Sequence, residues 1–163
     1  MRTAMLAVCL ALFVCGCNYS HVGSPNTTFS RLPPPLGVDA NETPSGPLVL
    51  RISRHVDEVI RGPDVEEDQH LVLTVQNFHI GQKLKIPSGS VTTEFTVTRF
   101  GPNSQGDTFN GYLIVRKVGA TKVDATLRLD VTARTSSGSY TQTAKFHGNY
   151  SFVYRASDSD PQP

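Results

Sequence analysis

The side chains able to bind a metal or move a proton are five histidines, His21, His55, His70, His79 and His147, and a run of carboxylates made by Asp57, Glu58, Asp64, Glu66, Glu67 and Asp68. To hold a metal from one element, two imidazoles must share a face, as in H-x-H or H-E-x-x-H spacing. None of the five is placed that way, and His70 and His79 bracket one strand too far apart to share an ion. Carboxylates around Gly62-Pro63 could serve acid–base catalysis or calcium, but the D-x-D-x-D-G ladder that wraps calcium is missing. A solvated connection between two strands accounts for them. The sequence also lacks a G-x-S-x-G elbow and an S-x-x-K pair, the local signatures of a serine nucleophile. The expectation is therefore no metal and no cofactor. If the chain does catalyse, it does so as a small hydrolase or metal-dependent enzyme through His70, Glu66 and Asp68.

These residues ride on segments whose apolar side chains recur at every second position, the pattern of half-buried antiparallel strands. Leu48, Leu50 and Ile52 mark a first strand, and Leu71, Leu73 and Val75 a second that ends near Phe78. A short strand from Lys83 to Ile86 stops at Pro87-Ser88-Gly89, and longer ones run from Val91 to Phe100 and from Thr108 to Val118. The clearest alternation sets Val123, Ala125, Leu127, Leu129, Val131 and Ala133 on one face against Asp124, Thr126, Arg128, Asp130, Thr132 and Arg134 on the other. Thr135-Ser136-Ser137-Gly138 then turns the chain into a last strand that carries Phe146, Tyr150, Phe152 and Tyr154 on one side, with core packing as their first use. This hairpin is expected at the centre of the sheet. Helical spacing occurs only at Val56, Val59 and Ile60, behind a cap at Ser53. About seven strands without repeats or disulfides predict an all-β fold, an antiparallel β-sandwich with a small β-barrel as the alternative. The stretch from Gly101 to Asp107 is dense in turn formers and reads as a loop. Its Asn103, Gln105 and Asp107 make it the candidate binding loop, because recognition on a rigid β scaffold is carried by loops.

All three cysteines, Cys9, Cys15 and Cys17, lie at the start of the chain, so the remainder can form no disulfide. The apolar stretch from Met5 to Val14 is short of the roughly 20 residues that a membrane-spanning helix needs. With Arg2 ahead of it, it has the charged start and apolar middle of a signal peptide. Val14-Cys15-Gly16-Cys17 resembles the lipobox of bacterial lipoproteins, with valine where leucine is commonest. That resemblance implies cleavage between Gly16 and Cys17, diacylation of the Cys17 thiol and acylation of its freed amine. Each buried methylene contributes about 0.8 kcal/mol, so two or three chains hold a protein on a membrane. By the same resemblance, Asn18 after the cysteine implies the outer membrane where there is one. The competing reading is an ordinary secretory signal cut near Gly16, which leaves Cys17 as a free thiol.

The chain thus divides into a signal peptide over 1–16, a lipidated Cys17 and flexible linker over 17–47, a β domain over 48–155 and a disordered tail over 156–163. Pro25, Pro33, Pro34, Pro35, Pro44 and Pro47 among Ser, Thr and Asn give the linker its composition, and such a chain spans roughly 30 Å. Of the 15 Lys and Arg, Arg2 lies in the leader, so the exported chain balances its 14 Asp and Glu. That balance gives no electrostatic basis for binding nucleic acid or anionic lipid. The domain, too, is similar in pattern to small β-rich lipoproteins of bacterial envelopes, a likeness that transfers no site residues. The expected protein is a lipid-anchored member of the bacterial cell envelope, binding or structural and not enzymatic. Its partners are the membrane and another envelope protein, met through an apolar patch or an unpaired sheet edge. A carrier of an apolar molecule would instead require a hollow barrel. Replacing Cys17 by serine is expected to move the chain from the detergent-rich to the aqueous phase in detergent partitioning; a variant that stays with the detergent has another anchor.

Overall fold

The computed structural model describes residues 19–31, 47–59, 65–99, 104–135 and 141–155. In chain order the strands are β1 (Tyr19–Val22), β2 (Asn26–Arg31), β3 (Leu48–Val59), β4 (Val65–Val75), β5 (Lys83–Ile86), β6 (Val91–Arg99), β7 (Ser104–Val118), β8 (Lys122–Thr135) and β9 (Thr141–Tyr154). Two antiparallel groups contain most of the pairing. In one, β3 pairs with β4 and β4 with β6; in the other, β7, β8 and β9 form a meander. β5 adds to the free edge of β7, where Lys83 faces Ile114 and Ile86 faces Gly111. At Gly111 the backbones approach so closely that a Cβ would lie 1.9 Å from the Arg128 carbonyl oxygen, which explains a glycine in mid-strand.

Two short seams join the groups. Thr96 and Val97 of β6 pair with Gln105 and Ser104 of β7, and Thr28 and Phe29 of β2 pair in parallel with Val153 and Tyr154 of β9. β1 and β2 follow one another along the same edge of β3, Tyr19 opposite Val59 and Asn26 opposite Ser53, so they fill one position in the ring. The result is a closed, mixed β-barrel of seven strands with β5 as the extra strand. All-β structure agrees with the sequence reading, but the architecture is the barrel and not the sandwich. A sandwich leaves edge strands on both sheets, whereas here the β6–β7 connection and the N-terminal strands bridge both pairs of edges.

The domain boundary moves accordingly. Tyr19 to Arg31 belong to the barrel and not to a linker, and Phe29 and Ser30 are fully enclosed. Composition concealed this strand because it takes its hydrogen bonds from the edge of β3 and needs only Phe29 for the core. Pro25 stands just ahead of β2, where a missing N–H costs no ladder bond. The signal peptide, residues 32–46 of the expected linker, and the tail over 156–163 lie outside the described residues. The helical spacing at Val56 and Val59 is also overruled: β3 runs through both in register with β4. The β8–β9 hairpin forms as expected, yet β8 is central and β9 lies at the seam.

Side chains at alternate positions fill the interior. Leu50, Leu73, Leu113, Leu129, Phe146 and Phe152 are completely buried, and Phe95 meets Phe146 edge-on at 5.8 Å across the two groups. Each such side chain contributes about 1.5–3 kcal/mol by leaving water. Among the described residues the buried apolar side chains form one core cluster. Phe29→Ala is expected to lower the free energy of unfolding by about 3–5 kcal/mol in urea titrations. An unchanged midpoint would return Asn26 to Arg31 to the status of a tether.

Candidate functional site

The catalytic candidates lie on the outer wall of β3 and β4. Alternation turns Leu48, Leu50 and Ile52 inward, and so sends Ser53 and His55 out to meet His70 and Asp68 of β4. His70 Nδ1 lies 3.0 Å from Ser53 Oγ, and His55 Nδ1 lies 2.9 Å from Asp68 Oδ1. Glu66 stands opposite Asp57 in the register. A hydroxyl, an imidazole and a carboxylate act together when one imidazole sits between the other two groups. Here the hydroxyl bond falls on His70 and the carboxylate bond on His55, side by side, so of the expected His70, Glu66 and Asp68 the pair His70 and Asp68 is not joined through one imidazole. His55 and Asp68 are about half exposed, which leaves their attraction screened by water. On the far wall His147 Nε2 pairs with Asp130 at 3.0 Å, and His79 lies within 3.3 Å of Gln82 Oε1. Among the described residues no group of three or more His, Cys, Asp or Glu could hold a metal ion.

The candidate binding loop is shorter than its composition implies. Ser104 to Asp107 already belong to β7, and Asn103 lies outside the described residues. Asp107 is the extra residue of a bulge between Gly106 and Thr108, and its carboxylate pairs with Arg134 at 3.4 Å. Gln105 and Asp107 are both exposed, so they remain available on the barrel's rim. Of the aromatic stripe, Phe146 and Phe152 belong to the core and Tyr150 packs partly against it. Tyr154 leaves the strand end half exposed, edge-on to Phe29 at 5.5 Å.

The interior contains a polar group that the sequence reading passed over. Arg54, Glu67, Gln69 and Gln142 share the inward parity of their strands, and Glu67 is only 1 % and Gln69 only 3 % exposed. Gln142 Nε2 donates to Glu67 Oε2 at 2.5 Å. Arg54 Nε donates to Gln69 Oε1 at 2.9 Å, Nη1 donates to the Lys145 carbonyl at 2.8 Å, and the guanidinium carbon lies 4.0 Å from the centre of the Phe146 ring. The last two contacts cross from β3 to β9, where no ladder joins them. Burial pushes the Arg54 pKa down against the attraction of Tyr150, and burial pushes the Tyr150 phenol up against the pull of Arg54. The signal was present in the sequence: continuing the alternation past Ile52 and back from Leu71 places Arg54, Gln69 and Glu67 inside.

This network can hold two strands together; with its polar groups turned on one another, it is poorly arranged to attack a substrate. Thr27 Oγ1 likewise donates to the Ser151 carbonyl at 2.6 Å, a second side-chain bond across the same seam. Compared with known proteins, the chain shows no significant match to a family model, a curated protein or a solved structure. Arg54→Ala should cost about 2 kcal/mol of stability, the scale of leaving buried acceptors unpaired. Arg54→Lys should not restore it, because an ammonium lacks the planar fork that reaches two acceptors at once. Urea unfolding of both variants measures this, and parent-like stability in Arg54→Ala would mean that the β2–β9 ladder closes the barrel unaided.

Proposed function

We propose that this is a lipid-anchored protein of a bacterial cell envelope, held by acyl chains on Cys17, whose barrel works by binding another envelope protein. Support for the anchor comes from the lipobox-like Gly16-Cys17 and from a chain that places every cysteine ahead of Tyr19, where the first strand begins. Support for binding comes from one observation. Ile80, Val153 and Tyr154, at 62 %, 59 % and 50 % exposure, are three of the four large hydrophobic side chains left in water among the described residues. All three lie at the end opposite the start of β1. Ile80 precedes Gly81, which bonds to Val115 of β7, and Val153 and Tyr154 close β9 beside Lys122 and Thr121. Apolar side chains on a rim framed by polar turns are suited to a protein partner. A hydrolase working through His70, Glu66 and Asp68 is the weaker reading, because His70 and Asp68 are exposed on the outer wall and bond to different partners.

A photoreactive amino acid placed at Ile80 or at Tyr154 in living cells is expected to yield discrete protein adducts, whereas one at Thr143 on the wall yields none. Equal labelling from rim and wall, or none from either, would overturn the binding reading.

A further inference from the structure

We infer that the end of the barrel where β1 begins stands directly on the lipid headgroups, which fixes the orientation of the whole domain. The inference rests on the acylation of Cys17 proposed above and adds what that proposal leaves open. Only Asn18 separates Cys17 from Tyr19, the first residue of β1. Two peptide steps reach at most about 7 Å. Half the difference between a bilayer's full thickness and its hydrocarbon core puts the headgroup layer at about 5–7 Å. The tether is therefore used up in crossing the headgroups, and β1 starts at their outer surface.

Register carries this position around the ring. Tyr19 faces Val59, Glu58 faces Val65, Glu67 faces Arg99, Val97 faces Ser104, Ser104 faces Thr135, and Arg134 faces Thr141. These strand ends make one rim. A strand of 12 residues such as β3, at about 3.3 Å per residue and tilted by about 40°, separates this rim from the other by about 30 Å. The walls on either side of β1 oppose a barrel lying on its side, since they present His55, Asp68 and His70 on one flank and Lys145 and His147 on the other. Hydrated side chains of this kind keep their water when the rim alone meets the surface. With no net charge on the exported chain to draw it to anionic lipid, the surface that fits is a zwitterionic one. Gln105 and Asp107 then face the lipid, and Ile80, Val153 and Tyr154 face away from it.

Once Cys17 is acylated, the processed chain has no other cysteine, so a single introduced thiol labels one place. The lipidated protein is purified, the mass of its first residue is measured, and it is reconstituted in vesicles of phosphatidylcholine and phosphatidylethanolamine doped with a nitroxide-headgroup lipid. Fluorophores at Gln105→Cys and Thr141→Cys should be quenched several-fold more than at Ser88→Cys and Ala120→Cys. Ten Gly-Ser residues inserted between Asn18 and Tyr19 should erase the difference. Equal quenching at both rims of an acylated chain, or a difference that survives the insertion, overturns the orientation alone. An unacylated Cys17 overturns both the anchor and the orientation.

Discussion

The barrel depends on how β9 is joined to the N-terminal strands. Two ladder pairs, Thr28 with Val153 and Phe29 with Tyr154, are all the regular pairing at this seam. Beyond them the backbones are bridged by side chains: the Thr27 hydroxyl reaches the Ser151 carbonyl and the Arg54 guanidinium reaches that of Lys145. Parallel closure by so few bonds would be weak alone. Phe29 adds apolar burial inside the ring at the ladder itself, and Arg54 against the face of Phe146 adds a cation–π contact where the ladder is no longer formed.

The same seam explains why polar side chains occupy the barrel's interior at the end where β1 begins. The inward positions of β3 and β4 pass from Leu50, Ile52, Leu71 and Leu73 to Arg54, Gln69 and Glu67 as they approach that end. Where β9 has a neighbour in the ladder, leucine and phenylalanine suffice. Where it has none, its carbonyls need donors, and an arginine with Gln69 and the nearby Glu67–Gln142 pair supplies a satisfied network in place of a strand. The histidines take the opposite parity and end on the wall beside Asp68, Ser53 and Asp130. Parity thus separates the group that stabilises the fold from the groups that resembled a reaction centre.

For the proposed function, the start of the first strand matters more than any side chain. A long linker would let the domain sample many orientations above a membrane, and the exposed Gln105 and Asp107 would then be as free to meet a partner as any other residues. With β1 beginning at Tyr19, an acylated Cys17 leaves the two rims with different neighbours. In the proposed orientation, the rim with the exposed Ile80, Val153 and Tyr154 is the one turned away from the membrane.

Much of the fold was legible as alternation. The apolar stretches of the strands, from Leu48 to Phe152, were read at or near their place, because one buried face and one wet face impose a period of two on the residues themselves. β3 and β4 nevertheless run on to Val59 and from Val65, through carboxylates that read as a solvated connection. The cysteines and the lipobox-like end are likewise a property of the sequence alone. Tertiary structure decided what pairing decides. β2 carries a single core residue, the strand through Val56 and Val59 mimics a helical period, and the choice between sandwich and barrel rests on two pairs at each seam. The N-terminal closure leaves no local pattern, since its pairs join residues more than a hundred positions apart, as Thr28 is from Val153. The inward Arg54 belongs to both accounts: its parity could be counted along the chain, but the Lys145 carbonyl that it serves exists as a need only once the ring has closed around it.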